Sequence, residues 1–176
     1  MQSKINIVKF KKLNLFEDDR GKLAELFNEK SDTFVLAQLN YVNSLKNTFR
    51  GMHLHSSHSD YLVVLSGTMI LALKDCRKLS NTFGLTEFHT LSMDNPYVAC
   101  ISPGIAHGFY FPENTIYCYG LSHPWDPSEI LGFRWNAPDT GSDWPMTNPS
   151  VSERDAQAGT FSELMQKLDK IGLTYE

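Results

Sequence analysis

YLVVLSGTMILALKD, residues 61–75, decides the fold. Two apolar runs rich in Val, Leu and Ile are broken once, at Gly67. Such runs suit a pleated, buried surface, and a glycine between them reads as a bend or tight hairpin. The segments on either side repeat the pattern. DTFVLAQLNYV (32–42), TEFHTLSMDNPYVACISPG (86–104), AHGFYFP (106–112) and NTIYCYGLS (114–122) all read as strands. SPG and NPS supply turns between elements. Helical spacing appears in TFSELMQKLDKIGL (160–173), where Phe161, Leu164, Met165, Leu168 and Ile171 fall on one face. Thr160 or Ser162 is placed to cap that helix. GKLAELFNEK (21–30) reads as a second short helical piece. NAPDTGSDWPMTNPSVSERD (136–155) is turn-rich and reads as an ordered loop wrapped around the strands. Many closely spaced strands with one terminal helix predict an all-β jelly-roll barrel or sandwich. No boundary is visible, so residues 1–176 are expected to form one domain.

The 176 residues can bury a real core. A net charge of −4 offers no broad basic surface, so nucleic acid is not an expected partner. No apolar run approaches a membrane span, and MQSKINIVKFKK lacks the apolar stretch of a secretory leader. Cys76, Cys100 and Cys118 are odd in number and sit in apolar segments. That usage suits a reduced cytoplasm rather than a disulfide framework.

RGMHLHSSHSD, residues 50–60, holds three of the six histidines. On a strand, His53 and His55 point the same way, Met52 and Leu54 the other, and Arg50 is opposed to the histidines unless the strand bends. His107 opens another strand in SPGIAHGFYF. Three readings follow. His53, His55, Asp60 and His107 have the residue types of a divalent transition-metal site. His53 alone could carry protons, because imidazole titrates near neutrality. His58, in SSHS, and to a lesser degree His55 read as solvated loop residues.

Several motifs together resemble the dTDP-4-dehydrorhamnose 3,5-epimerases, a cupin-fold family acting on nucleotide-linked 4-keto-6-deoxy sugars. The similarity spans nearly the whole chain. It is carried by FEDDRGKLAELF (16–27), QLNYVNSLKNTFRGMH (38–53), SNTFGLTEFHTLSMDN (80–95) and GIAHGF (104–109), then by RWNAP, DWP and VSERD towards the C-terminus. The resemblance implies that the 4-keto group acidifies the C3 and C5 protons, that a base removes one to give an enolate, and that a proton returns on the opposite face. It makes His53 the base and Asp155 its orienting carboxylate. His107 lines the site by the same resemblance. Arg20, Glu25, Gln38, Asn40 and Arg50 fall on its nucleotide- and phosphate-binding positions, where a guanidinium pairs well with phosphate oxygens. A homodimer is implied, with the N-terminal segment crossing to the partner, and no cofactor.

Two positions depart from the family. Asp60 stands where the family has a lysine beside the enolate, and Trp125, in HPWDP, where it has the proton-returning tyrosine. An ionised carboxylate beside an enolate is electrostatically wrong, and an indole is no useful acid. Tyr117 and Tyr119 lie on the preceding strand. His55 replaces the family's glutamine. The expectation is therefore a cytoplasmic isomerase inverting C3, C5 or both, with His53 and Asp155 catalytic and His55, Asp60, His107 and Trp125 at the substrate. RGMHLH also resembles the sugar 3,4-ketoisomerases, which gives the second reading. A metal-dependent cupin and a catalytically silent nucleotide-sugar binder are the others. Retention of both His53 and Asp155 speaks against the silent binder.

Overall fold

A computed structural model describes residues 1–126, 131–141 and 143–173. Ser142, within the turn-rich stretch, lies outside the described residues. The strands are β1 (Lys9–Lys12), β2 (Leu15–Asp18), β3 (Gly21–Ala24), β4 (Gln38–Ser44), β5 (Thr48–Leu54) and β6 (Asp60–Ser66), then β7 (Thr68–Asp75), β8 (Thr86–Ser92), β9 (Tyr97–Ile101), β10 (Ile105–Phe111), β11 (Thr115–Leu121) and β12 (Leu131–Gly132). Two five-stranded sheets run in the orders β1-β9-β6-β11-β4 and β12-β5-β10-β7-β8, all antiparallel, and β2 pairs β3 separately. Two helices follow, α1 (Glu153–Ala156) and α2 (Phe161–Lys170). This is the expected jelly roll.

The stretch 61–75 supplies one strand to each sheet, β6 and β7, with the chain crossing between them at Gly67. Gly67 has φ 79°, and a Cβ there would lie 2.5 Å from the Asn114 carbonyl oxygen. Only glycine fits such a crossing. Alternation then sorts the side chains. Leu62, Val64, Met69, Leu71 and Leu73 enter the core between the sheets, with Ile101, Phe111 and Tyr117. On the other face of β7, Ala72 joins Phe49, Met52 and Leu54 beneath α2. The helix seals this second core with Leu164, Met165 and Leu168. Thr160 is its cap and, with Glu163, closes a reciprocal capping box, so Ser162 is not the cap. Ile171, expected on the apolar face, sits past the last turn and is exposed.

Three readings are corrected. The stretch 21–30 is not helical: Gly21–Ala24 is a strand of a hairpin in which Phe16 faces Leu23. The Asp18 carboxylate accepts the Arg20 N–H and closes that turn, so local hydrogen bonding overrides helix propensity. Residues 32–37 precede the strand rather than form it. Residues 86–104 are two strands in different sheets, parted at 93–96.

Candidate functional site

Strand β5 carries the site, and a bulge sets its geometry. His53 pairs with His107 across the ladder to β10, but Phe109 pairs with Arg50, so β5 holds one extra residue between them. Residues 50 and 53 would otherwise face opposite ways. The bulge turns Arg50 onto the histidine side, the bend that sequence alternation left as a condition. Gly51 makes it sterically feasible: φ is 122°, and a Cβ would lie 2.6 Å from Gly108 Cα. The Arg50 guanidinium donates to Ser44 Oγ at 3.0 Å.

Helix α1 brings the carboxylate. Ser152 caps it by accepting the Asp155 N–H. That places Asp155 Oδ1 2.8 Å from His53 Nε2, while Oδ2 accepts the Gly51 N–H at 3.3 Å. Burial alone would raise the Asp155 pKa. The His53 hydrogen bond and charge, the Gly51 N–H and Arg154 outweigh it and hold the carboxyl down at about 2. Arg154, half exposed, brings Nη2 to 2.7 Å from His53 Nε2. Sequence reading singled out Asp155 in VSERD and passed over its neighbour, whose only signal was adjacency.

Both groups line a cavity of about 660 Å³, together with Arg50, His55, Asp60 and His107. Tyr117, Tyr119 and Trp125 line it as well. Trp125 is half exposed, and its backbone N–H donates to Gln38 Oε1 at 2.9 Å. Gln38 Nε2 in turn donates to Asn40 Oδ1 at 3.0 Å.

His55 and His107 are buried deeply enough to remain neutral. Burial first, then the charges of His107, His58, His53 and Arg154, push His55 far below the usual imidazole range. Burial and His53 bring His107 down to about 3, and its Nδ1 donates to the Ile105 carbonyl at 3.2 Å. Burial pushes the Asp60 carboxyl up to about 8. The electrostatic objection to an acidic residue here holds only for its ionised form. His58 is not a solvated loop residue. It is 1% exposed and stacks on His55 with centroids 3.9 Å apart.

Four of the expected site residues do not line this cavity: Gln38 and Asn40, linked to it through the Trp125 backbone, and Arg20 and Glu25. Arg20 sits at the tip of the β2–β3 hairpin, paired with Asp18, and Glu25 follows β3, accepting from Asn28.

The model of the dTDP-4-dehydrorhamnose 3,5-epimerase family matches residues 2–163. The chain belongs to that family. A spore coat polysaccharide biosynthesis protein of Bacillus subtilis is 31% identical over 147 residues, covering 75% of this chain and 97% of its own length. The dTDP-4-dehydrorhamnose 3,5-epimerase of Pseudomonas aeruginosa is 29% identical over 159 residues, covering 85% and 88%. Among solved structures, the dTDP-6-deoxy-D-glucose-3,5-epimerase of Legionella pneumophila in complex with dTDP-4-keto-L-rhamnose superposes with TM-score 0.88 at 26% identity. It covers 100% of this chain and 97% of that one. The fold of this epimerase family is therefore the one this chain adopts.

Proposed function

We propose that the protein is an isomerase that epimerises a nucleotide-linked 4-keto-6-deoxy sugar at C3, C5 or both. The single observation that carries this is the His53–Asp155 pair, 2.8 Å apart on the wall of a sugar-sized cavity in a chain of this family. Asp155, kept ionised, orients the His53 ring and stabilises it once it has taken a proton. The C–H electron pair becomes the C=C of an enolate, and the former carbonyl pair moves onto O4. Tyr119 and Tyr117 are the phenols on the cavity wall that can return a proton to the other face, since the Trp125 indole cannot. Arg50 faces the diphosphate.

Arg20 and Glu25 fit this reading through a homodimer, in which each β2–β3 hairpin reaches the partner's nucleotide. Support comes from exposed apolar side chains on the hairpin, Phe16 and Leu23, and on edge strand β4, Leu39 and Tyr41. Cytoplasmic residence accords with three free cysteines and with no described helix long and apolar enough to cross a membrane.

The test is product analysis by NMR with dTDP-4-keto-6-deoxyglucose. Inverted configuration at C3 or C5 is expected. A ketone moved to C3 with no inversion would replace the epimerase by a ketoisomerase.

A further inference from the structure

Asp60 Oδ2 is buried and has no hydrogen-bond partner among the described residues. Two imidazole nitrogens face it, His55 Nε2 and His107 Nε2, each at 3.6 Å. That spacing is too wide for an N–H···O hydrogen bond, which needs about 2.7–3.2 Å. It is close to the separation of adjacent ligands around one ion, about 3.4 Å for tetrahedral ligands at about 2.0–2.2 Å. The Ile105 carbonyl can only accept, so His107 Nδ1 donates to it, and Nε2 is the nitrogen turned towards Asp60. His58 completes the group. Ligand atoms of His55, His58 and Asp60 lie within 4.8 Å of one another. The loop bearing His58 is pinned at its end, where the Ser59 N–H donates to Ser122 Oγ and the Ser122 N–H to the Ser59 carbonyl.

We propose that His55, His58 and Asp60, with His107 on the fourth side, form a binding site for a divalent transition-metal ion. Three imidazoles and one carboxylate favour zinc, iron, cobalt or nickel over magnesium or calcium. His53 lies outside the set: its Nε2 donates to Asp155 Oδ1 at 2.8 Å, and Nδ1 is the nitrogen left to take a proton. Metal and base therefore coexist, whereas a set built on His53, His55, Asp60 and His107 forces a choice between them. His53 and the four proposed ligands line the same cavity, so an ion there would have to take a ketone oxygen as a fifth ligand to act on the substrate. It would then do the electrostatic work of the family's lysine. This role rests on the epimerase reading; the site itself does not. It also replaces the cofactor-free expectation drawn from the family.

The probe is Co²⁺, titrated into full-length protein after chelator treatment and followed by visible absorption. One equivalent per chain, displaced by Zn²⁺, is expected. Affinity should fall at least about tenfold in His58→Gln and Asp60→Asn, and change less than about threefold in His53→Asn. No saturable binding, or binding lost in His53→Asn and kept in His58→Gln, would overturn the assignment. Should His58→Gln not fold, NMR of the Co²⁺-loaded His53→Asn protein still counts ligands. Three shifted imidazole N–H signals are expected, and two or fewer contradict the set. Sugar-proton exchange separates the two readings: loss of about a hundredfold on chelation supports the role of the ion. An unchanged rate removes that role. No exchange in a protein that binds Co²⁺ overturns the epimerase and leaves the site.

Discussion

His53 and Asp155 lie 102 positions apart in sequence and 2.8 Å apart in space. Residue types and family motifs placed both in the site, and the fold joins them. His58 shows where such reading stops. Two serines flank it in a turn-like string, yet it is buried and stacked on His55, and the residue pattern does not encode that burial. Arg154 escaped notice for the same reason. Asp155 gives a pH prediction. Its folded pKa, about 2, lies below the ordinary 3.8, so its contribution to stability is complete above 3.8 and is lost as pH falls towards 2. Urea unfolding across that range should show a shallower acid loss for Asp155→Asn than for the natural protein; equal slopes would detach Asp155 from His53. Trp125 gives another. Trp125→Tyr puts a phenol at the family position, and we expect epimerisation to rise several-fold. Unchanged rates and products would take residue 125 out of proton return.

At the scale of elements, the strands were legible because β-branched and aromatic runs alternate and glycines or prolines end them. The β2–β3 hairpin was not. Leu23, Leu26 and Phe27 have helical spacing, and the Asp18–Arg20 turn that overrides it is a hydrogen bond visible only in three dimensions. The bulge in β5 was equally hidden, since a glycine after an arginine permits a bulge without requiring one. Helix α2 was read nearly to its ends because its period and cap agree. Its buried face seals the core behind β5, so Leu164→Ala should cost about 2–5 kcal/mol in chemical denaturation. A loss under about 1 kcal/mol would mean that α2 does not anchor the site-bearing sheet.

For the whole molecule, composition excluded broad classes and the order of motifs gave the family, but assembly is written only in what the surface leaves uncovered. Phe16 and Leu23 are a cross-strand pair on an isolated hairpin, 63% and 64% exposed. Such a pair is costly in water and gains from a partner surface. Phe16→Asp should shift the protein towards monomer in analytical ultracentrifugation and weaken nucleotide binding about tenfold or more, because Arg20 and Glu25 would leave the neighbouring site. A dimer of unchanged strength would place the interface elsewhere.

The central claim is that His53 is the base, and the most direct measurement is deuterium uptake from solvent into dTDP-4-keto-6-deoxyglucose, comparing the natural protein with His53→Asn. The account predicts label at C3 or C5 with the natural protein and a loss of at least about a hundredfold in the variant, with dTDP affinity within about threefold. Label entering at an undiminished rate without His53 would contradict it.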